Sequence, residues 1–455
     1  MPHYPLPPRN TRLGFHYFPD NLHYQESDLR IWLPQLKSMG RSWVTLLASP
    51  ERSIPEFFIQ ALIDQGVEPV IHYCIPIHSQ TGYSEYRLSF EQYARWGVHY
   101  IALFDRPNLR ASWTSAAWAQ NDLVERFLDI YLPLAHLAHK AGIHPVFSPL
   151  EPGGDYWDLA FLRSALRAII RRNDHEILDA LAFSAYAWTG NRPVNWGAGG
   201  PERWPTARPY WTPPGAEDHR GFRIFDWYLA IMEAEIGERR PVLLLRAGAR
   251  PGDQNNPGAP AVDAQTHAEV NLTIAQAMNR TEDRPLRDES GVVLIDPIPA
   301  EVLCCNFWLL SAAESSPFHQ HAWVTLEGVQ LPAAQKLHQW WKGILFAQNT
   351  APAAQHSIRR AVEKSGPAGD HPIEHYLLVP LYEWGINEWH LDSIRPFVQE
   401  CHPTIGFSLE EARLARRVTV AGGSQDFPDE VLAALRKSGC IVDRLLPDGT
   451  VLATV

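Results

Sequence analysis

The 455 residues exceed the roughly 100 to 200 of a typical domain, so one large domain with additions, or two to three domains, is expected. Hydrophobic residues make up 45% and charged residues 20%, which is material for a full core and excludes a disordered chain. A formal charge of -11 excludes a nucleic-acid backbone as the default partner, because phosphate binding requires concentrated positive charge.

The opening Met1 to Pro8 has no basic stretch ahead of a long apolar run, so neither a signal peptide nor a membrane anchor is expected there. No later segment offers about 18 uninterrupted apolar residues, so no membrane partner is expected. Leu13 to Phe18 then reads as a first strand, followed by a helical stripe at Leu29, Trp32, Leu33 and Leu36 that Gly40 ends. Ser42 to Ala48 is a second strand. Pro55 opens a helix that Gly66 closes, and Val67 to Tyr73 starts a third strand. Phe90 to Trp96 is a short helix and Val98 to Phe104 a fourth strand. A long amphipathic helix carries Leu123, Phe127, Tyr131, Leu134 and Ala138.

His144 to Phe147 is a fifth strand, with Leu159 to Ile170 as its helix. Leu178 to Ala187, Pro241 to Leu245 and Val302 to Leu310 supply the sixth, seventh and eighth. Near-continuous apolar strands separated by helices require a parallel sheet covered on both faces. Eight such units fit a closed (β/α)8 TIM barrel with enlarged loops. A doubly wound sheet is the rival, but no Gly-rich dinucleotide turn follows an early strand. The barrel is expected over residues 1–347, a linker over 348–370, and a small C-terminal α/β domain over 371–455. In that domain His375 to Leu381, Arg416 to Val420, Cys440 to Val442 and Val451 to Ala453 read as strands. Leu391 to Gln399 and Asp429 to Lys437 read as helices.

A barrel places its chemistry at the C-terminal ends of its strands. Those ends present His16, Tyr17 and Asp20; Thr45; His72, Tyr73 and His78; Asp105, Arg106 and Asn108; Glu151 and Asp155; Tyr186 and Trp188; Arg246; and Trp308. Such a mixture suits a polyhydroxylated ligand, whose ring faces stack on aromatics while its hydroxyls take directed hydrogen bonds. The loop from Thr189 to Gly221 is long enough to reach across the site, and Trp196, Trp204, Trp211 and Trp227 around it can serve as packing wedges. Cys74, Cys304, Cys305, Cys401 and Cys440 lack Cys-x-x-Cys spacing, so neither zinc nor a disulfide scaffold is indicated, and a reducing, cytoplasmic location is the plainer reading. No metal and no cofactor is expected: His-rich spacing of the H-E-x-x-H kind, a Walker A loop and G-x-S-x-G are all missing.

The fourth strand ends Leu103-Phe104-Asp105-Arg106-Pro107-Asn108-Leu109 and the seventh runs Val242-Leu243-Leu244-Leu245-Arg246-Ala247-Gly248. On these segments, roughly residues 12–346 resemble the large clan of retaining glycoside hydrolases built on a (β/α)8 barrel. The resemblance implies a Glu acid/base in an Asn-Glu-Pro at the end of strand four and a nucleophilic Glu at the end of strand seven. Arg106 and Arg246 occupy those places, and arginine, with donors only and a pKa above about 12, does neither task.

Two accounts follow. In one, a carbohydrate-active hydrolase uses relocated carboxylates: Glu151 as acid, with Asp155, Asp20, Asp105 or Asp253 as partner. In the other, the barrel is an inactive scaffold binding a saccharide, an anionic ligand or a protein. Substrate contacts are expected from His16, Tyr17, His72, Arg106, Asn108, Tyr186, Trp188, Arg246 and Trp308. Glu383 to His390, with its Glu and two Trp, is a further candidate if it lies over the mouth.

Overall fold

The computed structural model describes residues 4–49, 52–77, 83–208, 210–280, 284–350, 371–380, 394–395, 397–398, 401–421, 426–445 and 451–453. The chain divides into two units, residues 1–350 and 351–455. His78, Glu383 to His390, most of Leu391 to Gln399 and the Gly422-Gly423 turn lie outside the described residues.

In the first unit, eight strands alternate with helices. They are β1 (Leu13–His16), β2 (Trp43–Ala48), β3 (Glu68–Tyr73), β4 (Tyr100–Leu103), β5 (His144–Val146), β6 (Phe183–Trp188), β7 (Val242–Gly248) and β8 (Val302–Phe307). The helices longer than one turn are α1 (Glu26–Ser38), α2 (Glu56–Asp64), α3 (Tyr83–Arg95), α4 (Leu123–Lys140), α5 (Asp158–Arg171), α6 (His175–Ala180), α7 (Ile224–Ile236), α8 (Ala264–Met278) and α9 (Pro332–Thr350). The sheet order is β5-β4-β3-β2-β1-β8-β7-β6 with parallel pairings, and a parallel bridge between Val146 and Ala182 closes β5 onto β6. The Phe147 amide donates to the Ala182 carbonyl at 2.8 Å across that seam. This is the expected closed (β/α)8 barrel, and closure removes the edges that an open sheet would expose.

Alternation along the strands sorts the core into two layers. Trp43, Val70, Tyr100, Val146 and Leu243 pack inside the barrel. Their sequence neighbours Val44, Ile71, Ile101 and Leu244 pack outward in the layer that also holds the helix residues Phe58, Phe90, Phe127 and Phe161. The lower end is stoppered by the N-terminal segment: Trp43 Nε1 donates to Asn10 Oδ1 at 2.8 Å and the Tyr100 hydroxyl to the Pro5 carbonyl at 2.7 Å. Gly14 is required on β1, since a Cβ there would lie 1.9 Å from Asn306 Oδ1 and 2.5 Å from the Trp43 carbonyl oxygen.

The apolar run expected as one strand from Leu178 to Ala187 is divided. Asp174 caps α6, accepting from the Ile177 amide, and the strand begins only at Phe183. A hairpin of Leu286–Arg287 with Val293–Ile295 precedes β8 and was not expected. Among the described residues no helix is long and apolar enough to cross a membrane.

The second unit holds a sheet of β9 (Ile373–Leu378), β10 (Thr404–Gly406), β11 (Ala415–Ala421), β12 (Ile441–Leu445) and β13 (Val451–Ala453), in the order β10-β9-β11-β12-β13. Only the β12–β13 pairing is antiparallel. Helix α10 (Asp429–Lys437) buries Leu432 and Leu435 in a core that includes Leu378, Val418 and Val420. Together the two units give the α/β fold class expected, a TIM barrel followed by a small C-terminal α/β unit.

Candidate functional site

The mouth is shaped first by an irregularity in β7. On β6, Ala185 and Tyr186 face Leu244 and Arg246; on β8, Cys305 and Phe307 face Leu244 and Ala247. β7 therefore carries one extra residue between Leu244 and Ala247 relative to both neighbours. A bulge of this kind breaks the alternation and re-aims a side chain. Leu243 and Leu245 fill the inner layer, and the Arg246 guanidinium lies over two inner rings, 4.8 Å from the Tyr186 centroid and 4.5 Å from that of Trp308. Arg246 Nε is buried without a hydrogen-bond partner among the described residues.

The end of β4 is the second shaping feature. Phe104 (φ 64°) and Arg106 (φ 46°) both adopt left-handed backbone, a conformation that costs a non-glycine residue about 1–3 kcal/mol unless its surroundings hold it. Here they do. His72 Nε2 donates to the Phe104 carbonyl at 2.7 Å, the Arg106 amide donates to the Pro149 carbonyl at 3.0 Å, and the Ser112 hydroxyl donates to the Arg106 carbonyl at 2.8 Å. The Asp105 carboxylate accepts from the Tyr186 hydroxyl at 2.6 Å and pairs with Arg106 at 3.1 Å. Arg106 Nη1 also reaches Glu151 Oε2 at 3.4 Å.

Charge in the mouth follows from this packing. Burial alone would raise the Asp105 pKa, but Arg246 and Arg106 together bring it below the usual carboxylate value, so Asp105 is ionised. Burial lowers His72 to about 4, Asp105 opposing and Arg246 adding to the shift. His16 is pushed well below the usual histidine value by burial, with Arg246 and His72 adding to it, so both imidazoles are neutral. Burial also pushes the Cys74 thiol up to about 12.

The structure brings together part of the expected set. Asp105, Arg106, Glu151, Tyr186, Arg246 and Trp308 form one cluster, and Trp188 lies beside it, 5.9 Å from Tyr186 and 6.3 Å from Trp308 between ring centroids. His16 and His72 are fully buried and act beneath the surface. His16 meets the Trp308 ring edge-on at 4.7 Å, and His72 holds the strained Phe104 carbonyl.

Tyr17 does not reach the mouth. Consecutive strand residues point to opposite faces, so with His16 inside, Tyr17 packs outward against Phe18, Tyr24, Trp32 and Phe58. Asn108 is fully buried, with its amide engaged by the chain: Nδ2 donates to the Glu151 and Tyr156 carbonyls at 2.9 and 3.0 Å, and Oδ1 accepts from the Glu151 amide at 2.8 Å. It positions Glu151 and leaves no donor for a ligand.

Of the other carboxylates, Asp155 is exposed and accepts from the Arg110 amide at 2.8 Å, while Asp20 holds His23 at 2.9 Å. Asp253 grips Arg250 through both oxygens, at 3.2 and 2.9 Å. None of the three pairs with Glu151 among the described contacts. Among the described residues there is also no group of three or more metal-ligating side chains.

Three participants escape a reading of strand ends. Cys74 lies one residue past β3, with its sulfur 3.8 Å from His72 Nε2. Arg250, fixed by Asp253, covers the Trp188 ring at 4.2 Å, and Phe318 meets Trp308 edge-on at 5.3 Å. The i, i+3 spacing of Arg250 and Asp253 was the available signal for the second; nothing local marks Phe318.

No family model and no curated protein sequence matches the chain. Solved structures that resemble it include a family 39 glycoside hydrolase from Bacteroides cellulosilyticus WH2 (12% identity, TM-score 0.45, covering 73% of this chain). The chain spans 63% of the length of that protein. A monomeric beta-xylosidase from Caulobacter crescentus CB15 aligns over 74% of this chain and 69% of its own (10% identity, TM-score 0.43). An L-ribulose 3-epimerase aligns over 76% and 98% respectively (13% identity, TM-score 0.37). The barrel itself is read from strand order and closure.

Proposed function

We propose that the barrel mouth binds an acidic saccharide, such as a uronic-acid unit, and does not cleave it by the two-carboxylate retaining route. The observation that carries this reading is Arg246: a bulge turns it into the mouth, two aromatic rings support its guanidinium, and its Nε is buried with no acceptor among the described residues. A buried donor left unmade costs about 1–3 kcal/mol, more for a charged group, and a ligand anion would recover it. Trp188, half-buried and backed by the buried Trp308, supplies apolar surface beside that donor for a sugar ring.

The retaining route needs two carboxyl groups about 5 Å apart, one of them able to give up a proton. Arginines stand at both positions where the resemblance would put those groups. Of the carboxylates that remain, Asp105 is ionised and both Asp105 and Glu151 are engaged by Arg106. The test is a panel of acidic and neutral saccharides, scored for binding and, with product-anomer analysis, for turnover. Binding of acidic sugars without turnover is expected. Turnover that disappears in Glu151→Gln would replace this reading with the relocated-carboxylate hydrolase.

A further inference from the structure

The connection after β6 and the segment after β5 carry more aromatic side chains than their packing uses. Trp196, Trp204 and Trp227 are engaged in holding the loop: their indole N–H groups donate to Asp218 Oδ1 at 3.0 Å, the Ala198 carbonyl at 3.0 Å and the Gly197 carbonyl at 2.9 Å. Trp157, Tyr210 and Trp211 differ. They are 41%, 67% and 56% exposed, and their side-chain polar atoms make no hydrogen bond among the described residues. Trp157 and Tyr210 nevertheless pair, with ring centroids 4.9 Å apart and planes tilted by 30°.

Hydrogen bonds flank these rings on one side: Arg208 and Trp211 exchange backbone hydrogen bonds of 2.9 and 3.2 Å, and the Thr212 hydroxyl donates to Asp218 at 2.7 Å. On the other side, Trp157 directly follows the Glu151–Tyr156 segment that Asn108 clamps at both ends. The two pieces meet at Gly153, where a Cβ would lie 2.9 Å from the Arg220 Cδ. The aromatic rim is therefore continuous with the segment that carries Glu151 into the mouth.

We infer that Trp157, Tyr210 and Trp211 form an outer saccharide subsite, so that the ligand is an oligosaccharide whose acidic unit sits at Arg246 and whose chain runs over the rim. This inference rests on the mouth being a saccharide site. The exposed part of the three side chains is roughly 250–400 Å², taking about 150–250 Å² per aromatic residue. A specific protein interface needs about 800 Å² per partner, whereas one or two sugar rings need no more than this patch offers. The tilted Trp157–Tyr210 pair, flanked by polar groups, matches the alternating apolar faces and hydroxyl edges of a sugar chain.

The experiment uses the full chain and the acidic saccharide panel, comparing each monosaccharide with its linear oligomers by calorimetry. Wild type and the Trp157→Ala/Tyr210→Ala/Trp211→Ala triple variant are measured in parallel. Thermal melts establish that the variant, altered only at exposed rings, is folded. Wild type is expected to bind oligomers at least tenfold more tightly than the monosaccharide. The variant is expected to lose that gain while keeping monosaccharide affinity.

A second readout is chemical. N-bromosuccinimide oxidation of Trp157 and Trp211, followed by mass spectrometry, is expected to slow with the oligomer and not with the monosaccharide. Equal wild-type affinity for monomer and oligomer, or an oligomer gain that survives in the triple variant, would overturn the outer subsite while leaving the mouth reading intact. Failure of every panel member to bind would overturn both.

Discussion

Acid should destabilise the barrel well above the pH range in which carboxylates titrate, and buried histidines are the reason. His72 and His267 each have a folded pKa lowered to about 4, chiefly by burial. In the unfolded chain each returns to about 6.5. Because the unfolded state then binds more protons, each contributes stability that is fully present above pH 6.5 and is lost as pH falls from 6.5 toward 4. The linkage relation gives a loss of about 2 kcal/mol per histidine between pH 7 and pH 5, and about 3 kcal/mol by pH 4. His16, shifted in the same direction, adds to it.

His267→Phe isolates one share. His267 lies on α8 with its Nε2 unpartnered among the described residues, edge-on to Trp323 at 5.4 Å, so a phenyl ring keeps the shape and removes the titration. Urea unfolding followed by tryptophan fluorescence at pH 7, 6 and 5 measures the slope. The variant should lose about 2 kcal/mol less than wild type across that interval. Equal slopes, together with a His267 resonance titrating near 6.5, would refute the reasoning.

Asn108→Ala removes three part-buried hydrogen bonds to the Glu151 segment; it should cost about 2–4 kcal/mol by urea unfolding and expose the 151–156 backbone to rapid hydrogen exchange. Unchanged exchange there would contradict the clamp assigned to this residue. Gly14→Ala places a methyl within 1.9 Å of Asn306 Oδ1 and 2.5 Å of a backbone oxygen, so it should destabilise by about 3 kcal/mol or more, measured as a lowered denaturation midpoint. Cys74 and Cys401 are both exposed, but the Cys74 thiol is pushed up to about 12, so iodoacetamide at pH 8 should label Cys401 much faster. Equal rates by mass spectrometry would argue against that shift.

Barrel architecture was legible because each buried strand is a short apolar run rich in β-branched and aromatic residues, such as Trp43 to Ala48, set off by a helix of different periodicity. Where two elements abut without a Gly, Pro or polar cluster between them the pattern fails. Leu178 to Ala180 ends a helix and Phe183 starts a strand, and the single Asp179 between them does not mark the break.

The site was legible only in outline. Arg106, Glu151, Tyr186, Arg246 and Trp308 could be gathered from strand ends, because the barrel brings those ends together. Direction was harder to read. Tyr17 follows His16 and so points the other way, while Arg246 faces inward through a bulge that only the pairing with both neighbouring strands reveals. Asn108 looked available from its position past β4. Its amide is engaged by a segment more than 40 residues away, a relation that no local pattern records.

The most direct test of an arginine-centred mouth is calorimetric. The best-binding acidic saccharide is titrated at pH 7 against its carboxyl-reduced neutral analogue, using wild type, Arg246→Lys and Arg246→Met. Charge-assisted hydrogen bonds contribute about 1.5–3 kcal/mol, so wild type should prefer the acid by at least tenfold. Arg246→Lys should retain part of that preference, since lysine keeps the charge without the planar fork, and Arg246→Met should abolish it. Equal affinity of wild type for the acid and its neutral analogue, or an undiminished preference in a folded Arg246→Met protein, would contradict the account.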